Sequence, residues 1–327
     1  MNRRDTILVG LSALTTAIMR PVPGTAQSLY PDRPIRLIVP FAPGGVMDVV
    51  ARLWADKMKP VLGTIVTENR GGASGTIGVA EVAKSTPDGY TILLGNTSTQ
   101  VLNAMVMSNL PYDPAKDFAA IGIVANSAIS IAVHPSIPVK NLKELIAYIK
   151  VHSGKISYGS PGTGTLTFLA GEIFKQLAET PDLLHVPYKG GGPGLADLVG
   201  GHIPMLMVNI TPQVLDLHKT GKIRIVAVCN RTRLRVLPDV EAASETIPNL
   251  VVSLFTGVFV PAATPQSVVK QIAQAHRTVA MSQDFKSKLD EAGFEPVLDT
   301  PEEAQRFVVA EYARLISLVK LTGYKLQ

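Results

Sequence analysis

Two segments of this chain join a β-prone run to a turn rich in Gly and Pro, and then to an amphipathic helix. The first is Ile38-Val39-Pro40-Phe41-Ala42-Pro43-Gly44-Gly45-Val46-Met47-Asp48, and the second runs from Ile156 through Gly159-Ser160-Pro161-Gly162-Thr163-Gly164-Thr165. The chemistry such segments offer is anion binding rather than bond making. A helix start leaves its first N–H groups without intrahelical acceptors and carries partial positive charge. Glycines let an anion approach that backbone closely. Two such ends facing one cleft would hold a small carboxylate from both sides. A third stretch, Gly95-Asn96-Thr97-Ser98-Thr99, adds amide and hydroxyl donors after a strand-like run at 90–94.

These loops need strands to carry them and helices to follow them, and the apolar spacing supplies both. Val46, Val49, Val50, Leu53, Trp54 and Met58 recur at helical spacing, as do Phe168, Leu169, Ile173, Phe174 and Leu177. Strand-like runs at 35–39, 61–68, 90–94, 156–158, 203–208 and 223–228 alternate with helical ones, which predicts α/β layers with mainly parallel sheets. Asn141 and Glu144 read as a capping-box-like helix start. Thr264-Pro265 and Thr300-Pro301 read as Thr N-caps with Pro at the first helical position. The last helix, ending at Gly323, is expected to pack Ala304, Phe307, Val308, Tyr312, Leu315 and Val319 against the first lobe. The segment 187–194 reads as a flexible Gly-rich stretch ahead of a short helix. Stretches 121–133 and 251–260 are the expected crossings between two lobes. The resulting division is 27–127 with 256–327 as a discontinuous first lobe, and 128–255 as the second. Short hinges between such lobes place a cleft at the carboxyl ends of the strands.

The chain has 327 residues, 46% hydrophobic and 17% charged, which is globular and sufficient for two lobes. Residues 1–26 read as a secretory signal peptide: Arg3 and Arg4, an apolar run at 7–19, and Gly24-Thr25-Ala26 as a small-residue cleavage site. Arg3-Arg4 also fits a partial twin-arginine signal, so the Sec and twin-arginine routes both stand, and both lead to the periplasm. The apolar run is shorter than the roughly 18–20 residues needed to span a bilayer. Of the 31 basic and 26 acidic side chains, removal of 1–26 takes Arg3, Arg4, Arg20 and Asp5, leaving 28 against 25. That balance is too mild to point to nucleic acid or a polyanionic surface. Arg231, Arg233 and Arg235 read as a solvated loop, and Cys229, the sole cysteine, as a buried inert thiol.

An enzyme is disfavoured. The chain has no G-x-S-x-G elbow, no H-E-x-x-H and no phosphate-binding G-x-x-x-x-G-K loop. Its six histidines lack paired ligand spacing, and His185 reads as a packed histidine rather than a metal ligand. No cofactor or metal is expected.

Tyr30-Pro31, Arg33-Pro34-Ile35, Val39-Pro40-Phe41-Ala42-Pro43-Gly44-Gly45, Asp48 and Ala51-Arg52 resemble the Bug receptors, periplasmic solute-binding proteins of tripartite tricarboxylate transporters. The likeness continues through Glu68-Asn69-Arg70, Pro87-Asp88-Gly89-Tyr90-Thr91, His185 to Gly190, Pro261 and Thr264-Pro265, and so covers the mature chain. It implies a two-lobed, type II periplasmic-binding-protein fold that closes around a small organic acid, as a monomer whose partner is a set of membrane permease subunits or a sensor kinase. It places the ligand site on Phe41, Ala42, Gly44, Gly45, Val46, Met47 and Asp48, on Asn96, Thr97 and Ser98, and on Gly159, Ser160, Gly162, Thr163, Gly164 and Thr165. First-turn capping is the favoured role for Asp48 over direct ligand contact. Two departures stand out. Val46-Met47 replaces the small polar pair usual after Gly44-Gly45, which predicts either a pocket for a more apolar or aromatic acid or plain helix packing. Phe255 stands where the family often carries Trp.

Overall fold

The computed structural model describes residues 30–323, and the export segment read at 1–26 lies outside the described residues. The chain starts with β1 (Ile35–Val39), α1 (Val46–Leu62), β2 (Ile65–Asn69), α2 (Thr76–Ala83) and β3 (Thr91–Asn96). A π-helical turn at Ser98–Leu102 and a short α3 (Asn103–Val106) lead into β4 (Phe118–Val133). Next come α4 (Leu142–Val151), β5 (Ser157–Ser160), α5 (Leu166–Leu177), β6 (Leu184–Pro187), α6 (Gly191–Val199) and β7 (Met205–Asn209). They are followed by α7 (Pro212–Lys219), β8 (Arg224–Val228), β9 (Glu241–Ala242) and α8 (Ala243–Thr246). The return is made by β10 (Ser253–Pro261), α9 (Gln266–Met281), α10 (Gln283–Glu291), β11 (Phe294–Pro296) and α11 (Pro301–Thr322).

Two lobes grow from one long strand. β4 is flanked by β10 and β11 over its first part, and by β7 and β8 from Ile129 onward. The change of partners falls between Ala128, which faces Ser253 of β10, and Ile129, which faces Asn209 of β7. On one side β2, β1 and β3 run parallel, with β10 antiparallel to β3. On the other, β6, β5 and β7 run parallel. β4 is buried almost throughout, which is why it reads as an unbroken run of small and apolar residues rather than an alternating one. The second crossing is the return at Val252, whose N–H donates to the Cys229 carbonyl at 2.8 Å.

The first lobe is stitched from both ends of the chain. Val46, Met47, Val50, Trp54, Met58 and Leu62 form the buried stripe of α1. Trp54 is fully buried, and its Nε1 donates to His276 Nδ1 of α9 at 3.0 Å. Truncating a buried Trp costs roughly 3–5 kcal/mol, so this contact anchors the α1–α9 layer. Cys229 is completely buried, and burial pushes its thiol up to about 12, as an inert packed cysteine requires. Arg233 pairs with Glu245 and Arg235 with Asp290, so that basic cluster is a solvated, ion-paired loop.

Several expectations are corrected. Val61 and Leu62 end α1 instead of starting β2, because Leu62 is buried and the chain stops only at Gly63, whose φ is +90°. Gly95 and Asn96 belong to β3, not to a loop, and the hydroxyl-rich residues after them form the π-helical turn. Thr264 does not cap α9; Pro265 holds the N-cap position and the Thr264 hydroxyl is buried without a partner. Thr300 does cap α11, in a reciprocal box with Glu303. α11 is not confined to the first lobe: it lies along β4 and also touches α5 of the second. Of its expected face, Ala304 and Leu315 are buried, while Phe307 and Tyr312 stay 37% and 44% exposed.

Candidate functional site

The α1 loop is held rigidly. Gly44, at φ +81°, turns its N–H onto the Asp48 carboxylate at 3.2 Å. Arg52 donates to the same carboxylate through Nε and Nη2 at 3.1 and 2.9 Å. Burial acts to raise the Asp48 carboxyl, but hydrogen bonds from Arg52, Gly44 and Asn69 outweigh it and hold the group below its ordinary value. Asp48 is therefore a buried, neutralised brace of the turn. Asn69 Nδ2 donates to the Phe41 carbonyl at 3.0 Å and fixes the other end of the loop.

The second loop is braced by its own side chains. Thr165 caps α5 by accepting from the Phe168 N–H at 3.2 Å and donates to the Gly162 carbonyl at 2.7 Å. Its hydroxyl lies 2.9 Å from that of Thr167. Ser160 is fully buried and meets His185 Nε2 at 2.8 Å. The His185 ring packs against Tyr158 and Phe168, and burial, with help from Lys175, lowers it to about 4. This Ser–His pair is a neutral, packed support for the loop. The third stretch is tied by a reciprocal pair: Asn96 Oδ1 accepts from the Thr99 N–H, and Thr99 Oγ1 from the Asn96 N–H, both at 3.0 Å. Thr97 Oγ1 accepts from the Phe255 N–H at 2.9 Å.

These three stretches meet between the lobes. The Leu166 N–H, in the first turn of α5, donates to Ser98 Oγ of the other lobe at 2.8 Å. Ser74 Oγ donates to the Thr163 carbonyl, again across the cleft. Backbone packs on backbone where α6 starts: a Cβ on Gly192 would lie 2.5 Å from the Pro43 carbonyl oxygen. These contacts join the lobes directly, and between them lies a partly open cavity of about 30 Å³ lined by Phe41, Gly45, Val46, Met47, Asn96, Ser98, Pro161, Thr165, Thr167, Gly191, Val208, Asn209 and Leu254.

The first turns of α1, α5 and α6 all line this cavity, through Gly45 and Val46, Thr165 and Thr167, and Gly191. The Leu166 and Phe168 N–H groups are taken by Ser98 and Thr165, and the other first-turn N–H groups and the helix dipoles give the cavity a partial positive potential. None of its lining residues is Lys, Arg or His. The positive potential therefore comes from backbone, and the polar side chains are neutral. Ser98 accepts from Leu166, which leaves its own O–H to donate to an anion.

Of the residues expected from sequence, Phe41, Gly45, Val46, Met47, Asn96, Ser98 and Thr165 line the cavity. Val46 and Met47 also pack the helix, at 8% and 2% exposure, so wall and packing are one role here. Ala42 and Gly44 sit behind the wall against Gly190 and Gly192. Asp48, Thr97 and Ser160 face their own partners, and Gly159 packs against Ile203, Leu206 and Tyr188. Gly162 and Thr163 line an outer groove with Ser74 and Lys189, and Gly164, at φ +86°, turns the chain between that groove and Thr165. Pro161, Thr167, Gly191, Val208, Asn209 and Leu254 were not anticipated. Gly191 had a readable signal, since Gly190-Gly191-Gly192 before a helix repeats the build of the other two loops. Among the described residues, no cluster of His, Cys, Asp or Glu could hold a metal, and no helix is long and apolar enough to cross a membrane.

Comparison with known proteins shows the family and the fold. The family described as tripartite tricarboxylate transporter family receptor matches residues 50–324. Protein BugT of Bordetella pertussis is 32% identical over 327 residues, covering 98% of each chain. The structure of R. palustris Rpa4515 with adipate is similar at a TM-score of 0.87 and 32% identity, covering 91% of this chain and all of that one. MatC (Rpa3494) from Rhodopseudomonas palustris, with bound malate, is similar at a TM-score of 0.83 and 28% identity, covering 89% and 100%. The chain belongs to the tripartite tricarboxylate transporter receptor family, as a Bug-type solute-binding protein with two α/β lobes.

Proposed function

We propose that this protein is a periplasmic receptor that captures a small organic acid between its lobes by hinge closure and presents it to a tripartite tricarboxylate-type permease. The observation that carries this reading is the convergence of three helix first turns on one interlobe cavity, closed by the Leu166–Ser98 hydrogen bond. The acid's carboxylate takes hydrogen bonds from the first-turn N–H groups that no side chain takes and from Ser98, and both lobes supply donors only when they meet. Ligand thereby stabilises the closed arrangement. The adipate and malate held by Rpa4515 and MatC support a carboxylate as the ligand class.

The lobes in this reading are 27–127 with 256–327, and 128–255, hinged where β4 and the return at Val252 cross. The loops bearing Phe41 to Asp48, Asn96 to Ser98 and Gly159 to Thr165 form the site, with Gly191 added from α6. Asp48 holds the turn and does not touch the ligand. Binding, not catalysis, is the activity, and the chain reaches the periplasm through its first 26 residues.

The test is thermal unfolding of the mature protein, refolded to strip carried-over ligand, against a panel of organic acids. A ligand that binds only the folded state raises Tm by mass action. A concentration-dependent rise with a subset of carboxylates is expected. No rise with any acid at millimolar concentration would contradict the proposal.

A further inference from the structure

Beyond the interlobe cavity, we infer that the outer groove is a second acid site, where Lys189, Thr76 and Thr163 hold a small carboxylate. The groove measures about 500 Å³ and takes its wall from both lobes: Thr76, Ser108 and Asn109 from the first, Thr163 and Lys189 from the second. That size falls within the range of small-molecule sites, about 300–1,000 Å³. Lys189 is the only charged residue of the lining, and its ammonium makes no ion pair among the described residues. Its place in the wall is set by the residue that follows. Gly190, at φ +146°, packs against the other lobe, where an added Cβ would lie 3.1 Å from the Ala42 Cβ.

The groove offers donors and no carboxylate to occupy them. Thr76 is only 7% exposed, its hydroxyl makes no hydrogen bond among the described residues, and the open space it borders is the groove. A polar group so nearly buried calls for a partner, and the protein supplies none. The Thr163 carbonyl accepts from Ser74 Oγ, while the Thr163 hydroxyl has no partner among the described residues. The Ser108 hydroxyl and the Asn109 amide are likewise without one. No Asp or Glu lines the groove; Asp197 lies outside the lining and is held by the Tyr188 hydroxyl at 2.7 Å. An ammonium donates three hydrogen bonds and accepts none, and hydroxyls and an amide beside it can donate as well. The complementary ligand is an anion with several acceptor oxygens, which a carboxylate provides. One cation in an open groove holds it weakly, with a Kd on the order of 1 mM. The site stands one loop away from the cavity: Thr163 and Lys189 line the groove, and Thr165 and Gly191, two residues further on, line the cavity.

The test is NMR of the refolded mature protein with its lysines dimethylated by ¹³C-formaldehyde, which keeps their charge. The Lys189 resonance is the one missing from Lys189→Arg. Malate is titrated at constant ionic strength. The Lys189 resonance is expected to shift saturably with a millimolar midpoint, while those of the exposed Lys219 and Lys222 on the same lobe do not follow. Thr76→Val, which removes the hydroxyl at nearly constant volume, is expected to raise the midpoint threefold or more, and Thr76→Ser to hold it. No shift at Lys189, or one that Lys219 and Lys222 share, overturns the inference whether or not the Thr76 variants fold. An unchanged midpoint in folded Thr76→Val also overturns it, because Thr76 does not line the inner cavity. Either failure leaves the receptor reading standing. Conversely, if no acid raises Tm, the receptor reading falls and a saturable Lys189 shift still supports the groove.

Discussion

The backbone N–H of Leu166 donates to the Ser98 hydroxyl across the cleft at 2.8 Å, joining the first turn of α5 to the π-helical turn of the other lobe. π-Helical turns are often found at functional sites. In the receptor reading proposed above, Ser98 accepts from one lobe and donates its own proton to the ligand, so one atom would report both closure and occupancy.

Ser98→Ala should weaken acid binding about tenfold to a hundredfold, the range for one hydrogen bond to a charged group. The melting temperature of the ligand-free protein should move little, because the bond joins lobes that are each held by their own sheet. Calorimetric titration checks the first part and thermal unfolding the second.

Gly192→Ala should abolish tight binding while leaving the fold intact. Its methyl group would lie 2.5 Å from the Pro43 carbonyl oxygen, and both partners are backbone that cannot move aside. Gly200→Ala, at the other end of α6, is the control: its methyl group would lie 3.1 Å from the exposed His202 side chain, outside the cavity. Loss of affinity in the second variant but not the first would place the closing contact elsewhere.

Asp48→Asn should lower stability at neutral pH and flatten its acid dependence. The folded-state carboxyl is held below its ordinary value, so its contribution is present above about pH 4 and is lost as pH falls through the folded value. Urea unfolding of both proteins at pH 7 and pH 3 measures this. The gap between them should be larger at pH 7.

His276 titrates in the opposite sense from a paired histidine. Burial lowers it to about 4, so the unfolded chain binds more protons between about pH 6.5 and 4, and stability rises with pH there. Asp299, raised to about 6 by burial, pulls the other way, so the variant comparison isolates the histidine. His276→Gln should lose roughly 2 kcal/mol less than the unaltered protein between pH 7 and pH 5. Urea unfolding at the two pH values decides it.

What was legible in the sequence was local. Gly44-Gly45 and Gly162-Thr163-Gly164 announce themselves because turn chemistry and the helical period after it lie in one short window. Asn141 and Thr300 cap their helices as their spacing predicts. Thr264 misled because the same Thr-Pro pair can also sit one residue outside the helix, with Pro265 as the cap. Gly190-Gly191-Gly192 reads as flexible chain because glycine disfavours helix, yet at Gly192 the close approach of the Pro43 carbonyl across the cleft needs a residue without a side chain. Leu254 and Val208 carry no local mark at all. Their place in the wall is fixed by β10 and β7 exchanging along β4 at Ala128 and Ile129, a relationship between residues far apart in the chain. α11 was placed on one lobe because its periodicity shows a face, but not what the face meets.

The most direct test of capture by closure is small-angle X-ray scattering of the refolded mature protein, with and without a saturating acid from the binding panel. The account predicts a fall in the radius of gyration on adding the acid, and no fall in Gly192→Ala. An unchanged radius in the unaltered protein at saturating, calorimetrically verified ligand would contradict it.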